Sequence, residues 1–323
     1  MTFSSYLQKR VGSARIEPQG RFEAGSYASF ALTYTAGYFG IDDTGSLKIV
    51  MRFATDTGRL QFTDPAAPNY VSVEASNGAL LDARYEHKLN VRPWDKTIFI
   101  RIRRGFLREG DTITIRLGDR RGGSPGWRMQ TFVESTFELK VLVDAFATYT
   151  FVELPESPTI AIVPGAPALW KAVLPTMRRV GETFSLGIKA EDRWGNPSDR
   201  AAQQLRLRST GTIRGLPQHF AFESGKFSAR IEGLSIDAAG DYIVDLMNED
   251  GKVLCSSNPL RVVENATLLP YWGDLHGQSE ESIGTNSARD YHIFARDLAF
   301  LDAISHQAND FQVTTPLWNL VNE

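Results

Sequence analysis

Apolar and polar residues alternate along much of the first half of the chain, most cleanly at 97–103 (Thr97, Ile98, Phe99, Ile100, Arg101, Ile102, Arg103) and at 112–117 (Thr112, Ile113, Thr114, Ile115, Arg116, Leu117). A period of two places the apolar side chains of an extended strand on one face and the polar ones on the other. Glu109-Gly110-Asp111 and the 122–126 run Gly122, Gly123, Ser124, Pro125, Gly126 punctuate these strands as turns. No long helical period interrupts 14–154, so residues 1–154 are expected to form an antiparallel β-sandwich.

Prolines 155, 158, 164 and 167 then form an expected linker, because proline removes ladder donors and stiffens the chain. Alternation resumes at 184–190, followed by a turn cluster at 192–198, a strand opened by Gly240-Asp241-Tyr242, a hairpin signal at Glu249-Asp250-Gly251 and a closing strand at 259–263. About seven short strands over roughly 100 residues resemble an immunoglobulin-like module, assigned to 155–265.

After Glu264 the pattern changes. Residues 271–276 read as a short strand and 287–297 as a helix, with Ala288, Tyr291, Ile293 and Phe294 on a helical spacing. Residues 298–304 read as a second, buried strand. Ser287 with Asp290 three positions on is a capping-box start with Asp in place of the usual Glu. Strand, loop, helix, strand is a βαβ unit, which predicts a parallel sheet or barrel over 266–323. The expected fold class is therefore mainly β: two N-terminal β-sandwich domains, the second immunoglobulin-like, followed by a first βαβ unit.

An apolar share of 42% and a charged share of 23% sit near globular averages and exclude wholesale disorder. From Tyr271 onward eight acidic residues face only Arg289 and Arg296, and His276, His292 and His306, three of the five histidines, fall in this section. An acidic, histidine-bearing segment is what a cation site looks like, as is a solvated acidic face. No stretch reaches the roughly 18 apolar residues of a membrane span, and the N-terminus lacks an apolar leader core, so the chain reads as cytoplasmic with no membrane partner. The single cysteine, Cys255, agrees with a reducing compartment and reads as a small side chain packed in a strand. Arginines 101, 103, 104, 108, 116, 120, 121 and 128 alternate with isoleucines in part and read as solvent faces of strands, not as a nucleic-acid surface. Trp94, Trp127 and Trp194 read as packing residues ahead of a sugar groove.

Candidate chemistry concentrates at the C-terminal end. Asp274 and His276 are two apart in the first strand and are expected to share a face, since alternate residues of a strand point the same way, with His276 at its C-terminal end; His306 directly follows the second strand. In parallel α/β folds the C-terminal ends of the strands form the face on which sites are built, so the unit brings two imidazoles together from thirty residues apart. Imidazole is a common metal ligand, and Asp274, Asp302 and Asp310 are carboxylates that can complete or orient such a site.

Asp274-Leu275-His276-Gly277-Gln278-Ser279 and the run ending Ser305-His306 resemble the first two motifs of the PHP (polymerase and histidinol phosphatase) superfamily of metal-dependent hydrolases. The pattern there is Asp-Leu-His-x-His-Thr or Ser, followed by an apolar strand ending in Asp-His. The 273–286 string with two β domains ahead of it is most similar to an uncharacterised bacterial branch of that superfamily. The resemblance implies a distorted barrel holding one to three ions of the zinc, manganese or iron kind, with His276 and His306 as ligands. Gln278 stands where the family has a second histidine, and its amide oxygen binds such a metal more weakly. Ser305 stands where the family has Asp. Only 53 residues follow Pro270, against roughly 250 for a barrel of this kind, so the chain is expected to be truncated and inactive alone.

The implied reaction is hydrolysis by water activated at the metal, with Asp274 and Asp310 orienting ligands or handling protons. The loop Gly284, Thr285, Asn286, Ser287 opens the helix, and free amides with the helix dipole there would bind an anionic group of a small-molecule substrate through Thr285, Asn286 and Ser287. A phosphate ester is the first expectation, and a carboxylate-bearing ester or amide fits the same physics. His87, His219 and His292 receive no role. The rival reading is a non-catalytic β-sandwich protein that binds a ligand or partner. Homo-oligomerisation is left open by the sequence.

Overall fold

The computed structural model describes residues 5–307 and 314–322, and the chain divides into two compact units, Met1–Val163 and Pro164–Glu323. It is mainly β. No helix among the described residues is long and apolar enough to cross a membrane.

In the first unit, one antiparallel sheet runs Gly12–Glu17, Phe30–Ala36, Thr112–Leu117, Val71–Ala75. A second runs Val152–Glu153, Lys140–Asp144, Ser46–Met51, Lys96–Arg104, Leu80–Glu86. The alternation read in the sequence becomes burial: every second residue of Phe30–Ala36 and of Thr112–Leu117 is buried. Leu32, Tyr34 and Ile115 from the first sheet share one core with Leu47, Ile49, Ile98 and Ile100 from the second. At about 25 cal/mol per Å2 of apolar area removed from water, such inward rows are the main term holding the sheets together.

The Trp127 indole is fully buried in this core and donates from Nε1 to the Gly58 carbonyl at 3.0 Å. The Trp94 ring contacts the Arg52 and Lys140 cations, at 4.6 and 4.5 Å from its centroid. Among the expected outward arginines, Arg116 pairs with Glu74 at 2.7 Å, Arg121 with Asp119 at 2.7 Å and Arg103 with Asp82 at 3.7 Å.

The boundary differs from the expected one. Thr159–Val163, assigned from sequence to the linker and second domain, is a strand of the first unit, antiparallel to Glu134–Glu138 and parallel to Arg21–Glu23. Pro155 and Pro158 mark a real break, but Ile160 and Ile162 after them complete the first core. Pairing with a strand more than a hundred residues earlier outweighs local punctuation.

In the second unit three sheets surround a separate core that includes Leu186, Ile188, Leu205, Leu246 and Leu260. Leu169–Val173, Phe184–Glu191 and Ser228–Leu234 form one, and His219–Phe222, Gln203–Ser209, Val244–Met247 and Val253–Ser256 another. In the third, Leu260–Val263 pairs in parallel with Met177–Arg179 and antiparallel with Gly240–Tyr242. The expected turn at 192–198 closes on the buried Asp192 carboxylate. It accepts from the Trp194 N–H at 2.8 Å, the Asn196 N–H at 3.0 Å, the Asn196 side chain at 2.9 Å and the Gly165 N–H at 2.9 Å.

The βαβ unit is present with shifted limits. Gly273–Gly277 and Ala303–His306 form a two-stranded parallel sheet, joined through the α-helix Ala288–Ile293 and a π-helical turn, Phe294–Leu298. The expected buried strand at 298–304 is not formed as such. The helix persists through Leu298, Phe300 adopts φ 58°, and only Ala303–His306 is extended. Ala303 is exposed and Ile304 half-buried, because two strands alone leave both sheet faces largely uncovered, whereas parallel sheets are ordinarily covered on both.

Phe300 fastens this unit to the preceding sheet. Its ring lies over Gly187, where an added Cβ would stand 2.7 Å from two ring atoms, and the Arg230 guanidinium sits 5.3 Å from the ring centroid. Arg230 also donates to the Arg296 carbonyl at 3.0 Å, and the Trp272 indole donates to Thr176 Oγ1 at 2.6 Å.

Candidate functional site

The two parallel strands pair Gly273 with Ala303, Asp274 with Ile304 and Gly277 with His306. Between the last two pairs, Leu275 and His276 oppose Ser305 alone, which is a bulge. His276 therefore sits at the end of its strand beside the residue that pairs with His306. Simple alternation no longer fixes how Asp274 and His276 point, so the expectation that they share a face by period two is corrected. Both are exposed, and the Asp274 carboxylate turns back to accept the His276 backbone N–H at 2.8 Å.

His306 is half-buried. Its Nε2 is hydrogen-bonded to Ser279 Oγ at 2.7 Å, and the Ser279 hydroxyl, with no exposed surface, also donates to Glu281 Oε2. Glu281 in turn accepts the Ala288 N–H, at 3.0 Å to Oε2 and 3.2 Å to Oε1. Burial pushes the His306 imidazole below its usual value, partly opposed by the Glu281 charge. Tyr291 closes the other side: its ring lies 6.2 Å from that of His306, and its hydroxyl donates to the Ser305 carbonyl at 3.1 Å. Burial, and then the Asp274 carboxylate, raise the Tyr291 phenol. Gly277 is required beneath this ring, since a Cβ there would lie 1.9 Å from Tyr291 Cζ.

A serine beside a histidine invites a nucleophile reading, and the geometry opposes it. The Ser279 hydroxyl is enclosed, and the carboxylate of the trio bonds the serine instead of orienting the imidazole, which is the arrangement a nucleophile–base pair requires.

Gln278, the candidate weaker ligand, is half-buried with its amide oxygen 3.5 Å from Ser282 Oγ, within the loop. Ser279 O accepts the Ser282 and Gly284 amides at 3.0 and 2.8 Å, and Asn286 O accepts the Glu280 N–H at 2.7 Å. Asn286 adopts φ 58°. Thr285, Asn286 and Ser287 are half-buried. The expected capping box forms: Ser287 Oγ accepts the Asp290 N–H at 3.1 Å, and Asp290 Oδ2 accepts from Ser287 N at 3.4 Å.

Of the amides at the helix start, those of Ser287, Ala288 and Asp290 are thus committed. Glu281 already supplies the negative charge at Ala288, and Ser287 caps Asp290, which leaves the helix start less open to an anion than the residue types alone imply.

Among the described residues no three His, Cys, Asp or Glu side chains converge as a metal cluster. Asp310 lies outside the described residues. Sequence reading missed Ser279, Glu281 and Tyr291; the visible trace was the polar run Ser279, Glu280, Glu281, Ser282 just past the strand end. It also gave His292 no role, and that residue, with Nδ1 2.8 Å from the Ala288 carbonyl, lines an open cavity of about 910 Å3 with Glu281, Ser287, Arg289, Asp302 and Ile304.

No family model matches this chain, and no curated protein matches it in sequence. Solved structures that resemble parts of it include the Yersinia pseudotuberculosis adhesin InvE (12% identity, TM-score 0.23, 78% of this chain and 58% of that one). A cohesin module from a Clostridium perfringens family 33 glycoside hydrolase matches at 13% identity and TM-score 0.29, over 48% of this chain and 99% of that one. A Bacteroides vulgatus β-glycosidase matches at 11% identity and TM-score 0.26, over 79% of this chain and 25% of that one. The chain thus spans 58% of the adhesin's length. Likenesses this distant carry no functional argument.

Proposed function

We propose that this chain carries the opening segment of a PHP-like metal-dependent hydrolase, preceded by two β-sandwich scaffolds of which the second is immunoglobulin-like. One observation carries the reading. Gly277 pairs with His306 in parallel register, so His276 and His306 arrive at the C-terminal ends of adjacent parallel strands, where α/β sites are built.

The donor chemistry suits a borderline divalent ion, zinc, manganese or iron, through two imidazoles with Gln278 as a weaker oxygen donor. Sites of this kind take three or more protein ligands, so further donors would come from outside the described residues. A bound ion would supply Lewis acidity that lowers the pKa of water toward about 7. Asp274, exposed on the first strand, would take a proton from the attacking water, a task shared with Asp310. An anionic ester or amide, phosphate esters first, remains the proposed substrate. With the Ala288 and Asp290 amides committed to Glu281 and Ser287, its charge would be met chiefly by the cation.

The rival reading, a β-sandwich binding protein, would draw on exposed aromatics. Among these, Tyr38 and Phe146 each meet Phe39 edge-on, at 78° and 62°.

The test is elemental analysis of the full-length protein after incubation with zinc, manganese or iron(II), beside its His276→Ala and His306→Ala variants. Stoichiometric metal that falls in both variants supports the hydrolase reading. Folded wild-type protein that stays metal-free in all three ions refutes it.

A further inference from the structure

The trio Ser279, Glu281 and His306, with the serine fully buried between two half-buried partners, bears on which imidazole nitrogen of His306 carries its proton. A serine hydroxyl has one proton to give, and an ionised carboxylate can only accept. Ser279 Oγ touches two acceptor-capable groups at once: Glu281 Oε2 and, at 2.7 Å, His306 Nε2. Were the hydroxyl to donate to His306, serine and carboxylate oxygens would face each other with lone pairs only, in a site with no exposed serine surface for water to relieve. Donation to the carboxylate is also the stronger, charge-assisted bond. Glu281 is held in place by the Ala288 N–H at 3.0 Å, so it cannot swing away cheaply.

We infer that Ser279 and Glu281 are positioning residues that lock neutral His306 as the Nε2–H tautomer, with Nε2 donating to Ser279 Oγ, so that Nδ1 is the atom His306 offers to a metal ion or a proton. Among the described residues none hydrogen-bonds Nδ1. A metal-ligating histidine commonly has its tautomer set by the bond its other nitrogen makes, usually a direct carboxylate or carbonyl. Here the carboxylate acts one hydroxyl removed. The tautomer stands on hydrogen-bond geometry alone; its consequence for the ligand atom rests on the proposed metal function.

The test is long-range 1H–15N correlation of the histidine rings in the 15N-labelled, chelator-treated protein near pH 8, above the ordinary imidazole titration. His306 is identified by the signals lost in His306→Gln. Wild type is expected to show a protonated-type Nε2 and an unprotonated-type Nδ1; the reverse pattern overturns the proposal. In Glu281→Ala the serine proton is released to His306, so the pattern is expected to invert or average, and an unchanged Nε2–H pattern removes Glu281 from the role. Ser279→Ala, which leaves the Glu281 bond to the helix in place, is expected to average the two forms and serves if Glu281→Ala fails to fold. Zinc chloride added to wild type is expected to move Nδ1 and leave Nε2 protonated; loss of the Nε2 proton on zinc binding overturns the ligand-atom assignment. An Nε2–H tautomer with no response to zinc upholds the positioning role and counts against the metal function, so the two failures are told apart.

Discussion

Gly187→Ala tests the seating of the βαβ unit on the preceding sheet. A Cβ at position 187 would stand 2.7 Å from Phe300 Cγ and Cδ2 and 2.8 Å from Cδ1, so the ring must retreat to at least 3.4 Å before contact is ordinary. Retreat is resisted by Arg230, whose guanidinium lies over the ring and is tied to the Arg296 carbonyl. Overpacking of this kind costs about 1–3 kcal/mol. Phe300→Ala removes the ring and costs about 2 kcal/mol, less than the ~3–5 of a fully buried phenylalanine because Phe300 is only half-buried. The double variant discriminates: with the ring gone, the three nearest contacts of the alanine at 187 are removed, so its cost should fall to within ~0.5 kcal/mol of zero, a coupling of about 0.5–3 kcal/mol. Native-state hydrogen exchange over 271–307 reads this directly, since loosened docking speeds exchange there before the rest of the unit unfolds. An unchanged protection of 271–307 in Gly187→Ala, or an equal cost in the Phe300→Ala background, would refute the seating.

Three further outcomes follow from single contacts. Burial alone would raise the Asp192 carboxyl, but hydrogen bonds from Gly165, Asn196 and Trp194 outweigh it and hold it below the usual carboxylate range. A carboxyl depressed on folding contributes stability present above its unfolded value of about 4 and lost as pH falls from there toward the folded value. Asp192→Asn should therefore cost about 1–3 kcal/mol at neutral pH, with the gap to wild type narrowing below about pH 4 in urea titrations; a pH-independent gap contradicts the account. Gly277→Ala should expel the Tyr291 ring and break its bond to Ser305, costing about 1–3 kcal/mol and visible as changed His306 ring chemical shifts; unchanged shifts would contradict the close approach. Burial pushes the Cys255 thiol up to about 11. Its alkylation at neutral pH should be slower than that of the unfolded chain by on the order of a hundredfold, and comparable rates would show the thiol to be accessible.

Parts of the site were legible in the sequence because they depend on near neighbours. The Ser287 and Asp290 capping box spans three residues, the Asp192 turn spans four, and both formed as the residue types imply. The strand–helix–strand order was legible for the same reason, through its change of hydrophobic period. The bulge between Asp274 and Gly277 was not, since it arises from pairing across thirty residues and cancels the alternation from which side-chain direction was inferred. The helix N-terminus looked like an anion site because its own residues supply amides; that Glu281 fills it depends on how the loop folds back.

What the sequence by itself determined is the set of local conformations: inward rows such as Phe30–Ala36, the glycine and asparagine turns, the capped helix and the two short strands that follow the β units. These are set by periodicity and backbone preference within a few residues. Only the tertiary structure decided that Thr159–Val163 belongs to the first unit, that Phe300 rests on Gly187, and that Ser279 and Glu281 stand behind His306. Those outcomes depend on which surfaces bury each other across long stretches of chain, where burial and buried hydrogen bonds outweigh the local preferences a sequence displays.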